Sequence, residues 1–300
     1  MFPAQIEAYE APDSISGALH ALAGAADGMT MCLAGGMSLM QAIKGRMVQP
    51  MGIVDLQRIA ALRGIRNSPQ GMSVGPMTRY AELANATELS GAYGALSDAA
   101  AHVGDRQVRN RGTIGGSLCW NYISSCTPAA ALAVGVTLEL ASLNPDGKPT
   151  SRLLSIDDFL LGPLETARRP EELLVSILLP TSKDWCGSAY KKWGPTTDAV
   201  PTIGVAVSLI LNRVGKCCSA RIALAGLSSG AIRFPSAEKL IVGCEGPDAK
   251  SVNAAFNSIA QNAQVEGDPW ASEDYKRFLI RKLGEEVTNT AISRANPGVK

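Results

Sequence analysis

Two pairs of adjacent glycines, Gly35-Gly36 and Gly115-Gly116, stand eighty residues apart and constrain this chain of 300 residues more than any other feature. The first pair follows an apolar run at 30–33 and precedes a short helical pattern over 38–43. Glycine reaches positive φ at no steric cost and lets another group approach the backbone with no Cβ in the way. A turn of this kind before a helix turns main-chain N–H groups toward an anion such as a pyrophosphate, and the Ser38 hydroxyl adds a donor. It is not the GxGxxG of a dinucleotide fold, and alone it equally describes a strand–helix turn with no ligand. The second pair lies in Thr113-Ile114-Gly115-Gly116-Ser117, after Gln107-Val108-Arg109-Asn110-Arg111-Gly112, and alone reads as a glycine-rich surface loop. Two such turns flanked by β-type sequence suit two walls gripping one extended, phosphate-bearing ligand.

The patterning predicts three regions. Residues 1–57 read as a small α/β subdomain: strands at 6–9, 30–33 and 52–56, and a helix capped by Asp13 or Ser14 with Ile15, Ala18, Leu19 and Leu22 on one face. Residues 58–180 mix short strands and turns. A strand is expected at 72–74, a turn capped by Thr78 over 80–83, and an Ala-rich helix at 96–102. A strand at 137–141 meets the turn Asn144-Pro145-Asp146-Gly147, and another at 173–179 stops at Pro180. Residues 181–300 carry a hairpin, 203–211 with 219–227, then helical patterns at 248–263 and 274–293. The expectation is an α+β chain ending in an antiparallel sheet with helices.

Composition narrows the function classes. Lys+Arg is 28 and Asp+Glu 27, a balance that gives no field for nucleic acid or an anionic membrane. No apolar run reaches the ~18–20 residues needed to span a bilayer, and no leader pattern opens the chain. Seven cysteines, an odd number without a CxxC pair, predict free thiols in a reducing cytoplasm rather than a disulfide framework. Only two histidines, His20 and His102, are available, and no nucleophile–base pair or metal-ligand cluster is visible.

At this point the ordered motifs become specific. Ala34-Gly35-Gly36, Ser38-Leu39, Val54-Asp55-Leu56, Gly75-Pro76-Met77-Thr78 and the run Val108 through Ser117 come first. Pro170-Glu171-Glu172-Leu173-Leu174, Ala189-Tyr190-Lys191, Ala220-Arg221-Ile222-Ala223-Leu224-Ala225-Gly226, Ala237-Glu238 and Tyr275-Lys276-Arg277 follow. Across nearly the whole chain this resembles the FAD-binding medium subunit of the molybdenum hydroxylases, the xanthine dehydrogenase and carbon monoxide dehydrogenase family. The resemblance implies a two-lobed FAD domain of the vanillyl-alcohol-oxidase (PCMH-like) type, followed by a C-terminal α+β domain. It implies FAD held by Cys32, Leu33, Ala34, Gly35, Gly36, Met37, Ser38 and Leu39 and by Thr113, Ile114, Gly115, Gly116 and Ser117. Val103, Gly104 and Leu174 would line the cofactor, and Lys191 would sit near the flavin ring.

The same resemblance implies a small iron–sulfur subunit with two 2Fe–2S clusters and a large subunit with the molybdopterin-type molybdenum cofactor, arranged as a dimer of heterotrimers. This chain would relay electrons between those clusters and an external acceptor. A free-standing flavoprotein oxidoreductase and a cofactor-poor scaffold subunit are the rival readings. In one place the sequence departs from the family. After Ser117 the family runs into an Asp-Pro-Ala-Ala-Asp-like string, whereas here residues 118–131 form a longer loop. The final acid, which in the family tends to bind the FAD ribose, is replaced by Ala131.

Other residues carry weaker expectations. Trp120 and Tyr122 read more readily as packing or subunit-contact residues than as stacking partners for a ring, and Trp193 suits a flavin shield as well as packing. Arg109 and Arg111 read as solvated loop arginines before phosphate ligands. His102 reads as structural, and the vicinal Cys217-Cys218 as a non-redox pair.

Overall fold

The computed structural model describes residues 5–23, 29–68, 71–182, 185–244 and 249–295. The first four residues, and residue 248 at the start of the expected 248–263 helix, lie outside them. The chain begins with β1 (Ala8–Glu10), α1 (Ile15–Ala23), β2 (Thr30–Leu33), α2 (Leu39–Lys44) and β3 (Gly52–Asp55). The three strands form one parallel sheet in the order β1-β3-β2. Ser14 accepts from the Gly17 N–H at 3.2 Å, and Ala18, Leu19 and Leu22 are buried as their spacing required.

The second region opens with the hairpin β4 (Ile65–Ser68) and β5 (Gly71–Val74), and continues through α3 (Tyr80–Ala84), α4 (Gly94–Ala101), α5 (Arg106–Arg111), α6 (Ile114–Trp120) and α7 (Cys126–Val134). The hairpin β6 (Thr137–Leu143) and β7 (Pro149–Ser155) closes on the predicted turn, where the Asn144 side-chain oxygen accepts from the N–H of Asp146 and of Lys148. Short α8 (Ile156–Phe159), β8 (Leu160–Gly162) and β9 (Glu165–Thr166) lead to β10 (Leu173–Leu178). These strands build an antiparallel sheet in the order β4-β5-β10-β6-β7, with β8 and β9 paired separately.

Three sequence expectations change here. Strand β4, polar and short, was not anticipated. Thr78 caps nothing: it is fully buried and its Oγ1 pairs with the Gly64 backbone, while the Arg79 N–H before α3 donates to Glu82. Finally, the 118–131 stretch is not one long loop. It is the end of α6, a left-handed residue at Asn121, and the helix α7, buried at all nine positions. A helix apolar on every side belongs in a core, and its alanines let neighbours approach closely.

The third region adds β11 (Cys186–Trp193), β12 (Ile203–Leu211), β13 (Cys217–Ala225) and β14 (Ile232–Arg233), an antiparallel sheet in that order. Helices α9 (Pro235–Ile241), α10 (Ala249–Asn262) and α11 (Glu273–Ala295) pack with it. Strand β11 serves two cores. Tyr190 joins the cluster built around α4 and α7, whereas Ala189 and Trp193 face the cluster of α10 and α11.

An ion pair bolts the last helix to the second region. Arg294 donates to both Asp98 oxygens at 2.6 and 2.9 Å and to the Ser188 carbonyl at 2.7 Å, and Asp98 also accepts from the Tyr190 N–H. Arg294→Ala is expected to lower stability by about 2 kcal/mol, discounted for its partial exposure. Arg294→Lys, which keeps the charge and loses the fork, should recover part of it. Equal denaturation midpoints for wild type and Arg294→Ala would show that the bolt contributes nothing.

Candidate functional site

The two glycine turns meet. An added Cβ on Gly35 would lie 2.0 Å from the Arg111 carbonyl oxygen and 2.9 Å from the Gly112 Cα, so the first turn rests directly on the backbone before the second. Gly36 follows at φ +77°, a left-handed conformation that favours glycine. Around this junction opens a cleft of about 330 Å³, in the range of small-molecule sites. Of the residues expected to hold a cofactor, all line it except Leu33, Ile114 and Lys191. Leu33 packs in a small cluster with Leu39, Ile43 and Ile53, and Ile114 is fully buried in the main core.

The two turns differ in what they offer. At the second, which starts α6 between two helices rather than between strands, the donors are committed. The Ile114 N–H donates to the Thr78 carbonyl, Gly115 to that of Pro76, Gly116 to the Thr113 hydroxyl and Ser117 to the Thr113 carbonyl. At the first, the N–H groups of Gly35, Gly36, Met37 and Ser38 have no protein acceptor among the described residues. Four consecutive uncommitted donors at a positive-φ glycine are a nest for an anion. The second turn acts as a wall, its glycines admitting Pro76 and Ala34 at close range.

Charge in the cleft is positive. Its one carboxylate among the described lining residues, Glu172, is committed to Arg152 at 2.6 and 2.9 Å and to the Arg169 N–H at 2.7 Å. Burial pushes the Glu172 carboxyl up, but Arg152 and the Arg169 N–H outweigh it and hold it below the ordinary value. A depressed folded value gives stability that is complete above the unfolded value and is lost as pH falls through the folded one. Melting temperature should therefore fall below about pH 4.5. Glu172→Gln should melt lower at neutral pH and show a flatter acid limb. An acid limb unchanged in the variant would assign that loss to other carboxylates.

The cation that β11 turns to the cleft is Lys192, not Lys191. Side chains alternate along a strand, and on β11 the odd positions face α11. Lys191 is half exposed and pairs there with Glu286 at 2.6 Å. Trp193 lies on the same side, edge-on to Tyr275 at 5.1 Å, so it shields no cleft. Lys192, 9% exposed, points the other way and donates to the Ala199 carbonyl, and burial holds its ammonium below the usual lysine range. Ala199, Val200 and Pro201 form the adjoining wall.

Trp120 and Tyr122, read in the sequence as packing or subunit-contact residues before stacking partners, line the cleft, although Trp120 also packs against the Leu39 and Ile53 cluster. Other residues that line the cleft went unread. Ser124, Ser125 and Cys126 enter it at the start of α7, whereas Ala131, the position of the family's acid, is fully buried and lies outside the lining. Arg109 does not line the cleft: its Nη1 donates to the carbonyls of Val103 and Gly104 and closes that loop beside it. His102 caps α4, bonded to the Asp98 carbonyl and edge-on to Tyr190. None of the seven cysteines is in a disulfide, and burial pushes Cys217 up to about 11, away from redox reactivity. Among the described residues no helix is long and apolar enough to cross a membrane, and no cluster of three or more His, Cys, Asp or Glu side chains is placed to hold a metal.

Fold and cleft together suit an extended anionic cofactor, with a glycine nest on one side and apolar and cationic side chains from three sheets around it. Comparison with known proteins makes this particular. Residues 4–182 match the family described as the FAD binding domain in molybdopterin dehydrogenase, and residues 188–291 the CO dehydrogenase flavoprotein C-terminal domain. The chain is 31% identical to the 6-hydroxypseudooxynicotine dehydrogenase complex subunit alpha of Paenarthrobacter nicotinovorans, over 96% of this chain and 95% of that one. It is also 31% identical to the carbon monoxide dehydrogenase medium chain of Hydrogenophaga pseudoflava, over 98% and 99% of the two chains. A solved structure of carbon monoxide dehydrogenase from that organism, lacking the Mo-pyranopterin moiety of its molybdenum cofactor, superposes with a TM-score of 0.88 over 98% of this chain and 99% of that one. The chain belongs to the family of FAD-binding oxidoreductase subunits of the molybdopterin dehydrogenases.

Proposed function

We propose that this chain is the electron relay of a molybdenum hydroxylase complex, carrying FAD between partner iron–sulfur clusters and an external acceptor. The observation that carries the reading is the nest of four uncommitted N–H groups at 35–38, set in a cleft whose free side-chain charge is positive. Such a nest suits a pyrophosphate, so the residues present fit the cofactor. Bound there, FAD accepts and donates electrons, the chemistry the side chains alone do not supply.

The chain's own groups do the holding. The nest and the Ser38 hydroxyl bind the pyrophosphate, Val103, Gly104 and Leu174 pack against the cofactor, and Lys192 takes the place at the flavin end that the family resemblance had given to Lys191. Its largely buried ammonium favours a reduced, negatively charged ring. Ser124, Ser125 and Cys126 replace the missing acid as polar contacts.

The finer reading has two FAD lobes, 1–57 and 58–180, of the vanillyl-alcohol-oxidase type, and a C-terminal domain over 181–300. It also has a small subunit with two 2Fe–2S clusters and a large subunit with the molybdenum cofactor, in a cytoplasmic dimer of heterotrimers. The names of the relatives as complex subunits and medium chains support it.

The test compares the isolated chain with the assembled complex. Denaturation should release FAD into the supernatant, since neither glycine turn presents a histidine for attachment. The isolated chain should bind FAD without reduction by the complex's organic substrate, and the complex should reduce the same flavin. Rapid substrate-dependent reduction in the isolated chain would favour the free-standing oxidoreductase. A chain that takes up no flavin would favour the scaffold.

A further inference from the structure

The cleft holds a second cation, Arg168, between β9 and β10. Its Nη1 donates to the main-chain carbonyls of Arg169, Pro170 and Glu172 at 2.8, 3.2 and 2.8 Å. Those bonds fix the guanidinium plane. Its Nε and Nη2 have no protein acceptor among the described residues, and no carboxylate pairs with it. The cleft's acid, Glu172, is turned to Arg152 and neutralised there.

Position follows from the lining: Arg168 shares the cleft wall with Cys32, Cys119 and the turn at 35–38. Burial pushes both thiols up, and the positive charge of Arg168 opposes it in each case. Cys32 stands two residues before the first glycine turn's Ala34, and Cys119 three residues after Gly116. A rigid cation with unused donors therefore shares the cleft with the four uncommitted N–H groups at 35–38. An arginine fork matches two phosphate oxygens at once and is the side chain best suited to that contact.

We infer that Arg168 is a cofactor-binding residue, its free guanidinium edge pairing with the pyrophosphate held by the first glycine turn. The inference rests on the FAD reading and adds to it the residue that supplies the counter-charge. The main-chain nest orients the anion, and Arg168 makes its binding sensitive to salt.

The test titrates the deflavinated full-length chain with FAD, ADP and riboflavin at low and high ionic strength. ADP carries the pyrophosphate without the flavin, and riboflavin the flavin without any phosphate. Arg168→Met should weaken FAD and ADP about tenfold at low salt, or roughly 1.4 kcal/mol. The loss should shrink at high salt, where the wild-type contact is screened, and riboflavin affinity should not change. Should Arg168→Met melt far below the wild type, Arg168→Lys carries the test. It keeps the charge and loses the fork, so it should retain the salt dependence with an intermediate affinity. Unchanged FAD affinity overturns the inference. So does an equal loss for riboflavin and FAD with no change in salt dependence, the result expected if Arg168 only braces its loop. A wild-type chain that binds neither FAD nor ADP overturns the functional reading itself, and the inference with it.

Discussion

Gly35→Ala is expected to remove most of the bound flavin and to destabilise the chain by about 3 kcal/mol or more, a large cost for one methyl group. Gly35 does not need positive φ, so the penalty is wholly one of approach: the new Cβ would stand 2.0 Å from the Arg111 carbonyl. That neighbour is backbone, anchored through the Gly112 N–H to the Val108 carbonyl and through the Gly112 carbonyl to Tyr80. The turns must separate, and the nest at 35–38 moves off the wall it faces. FAD affinity should fall at least ~100-fold, or about 2.7 kcal/mol. Gly147→Ala is the reverse case, with φ +74° and nothing within 4 Å, and should cost only conformational strain of about 1 kcal/mol. Gly115→Val would collide with Pro76, so its loss of flavin would also report a broken wall rather than an obstructed cofactor. Wild-type flavin content and melting in Gly35→Ala would separate the two turns and dismantle the site.

Lys192→Met should lower the flavin midpoint potential, and Lys191→Met should leave it alone. A cation near the ring favours the reduced anion, so its loss favours the oxidised form. At an effective dielectric of about 20 the interaction is worth on the order of 2 kcal/mol, which for two electrons is roughly 40 mV. Lys191 is half exposed and already paired with Glu286 on the other face of β11. Redox titration of the assembled complex measures both variants. A shift in Lys191→Met with none in Lys192→Met would reverse the register argument.

The face that each β11 lysine takes is not legible in the sequence, where the patterning predicts no strand over 186–193. Alternation reveals a strand's orientation when one face meets water. Strand β11 meets one core with Tyr190 and another with Ala189, and its partner β12 is buried at seven of nine positions, so neither sequence has a polar side to read. Lys191-Lys192 could then be shifted by one residue without contradiction, which moves every side chain to the opposite face. The first subdomain was easier. Strand β2 ends at the predicted residue, where the glycines begin, and α1 buries Ala18, Leu19 and Leu22 because the helix has one inward face. Helix α7 was hidden by its own composition: Cys126 through Val134 has no polar face, so no helical period exists to detect. The glycine turns were legible as turns. Their unequal roles were not, because commitment of the N–H groups of Ile114 and Gly115 depends on Thr78 and Pro76, far away in sequence.

The wall formed by Lys192, Ala199, Val200 and Pro201 gives the cleft a place in time as well as in space. The nest at 35–38 leaves the ribosome early, but the wall follows some 155 residues later, and β11 is secured by α11 through Arg294. A nascent chain cannot assemble the complete cleft until α11 has emerged. Cofactor capture thereby waits on that helix, and a product truncated before α11 would leave synthesis without the grip that a chain carrying it acquires.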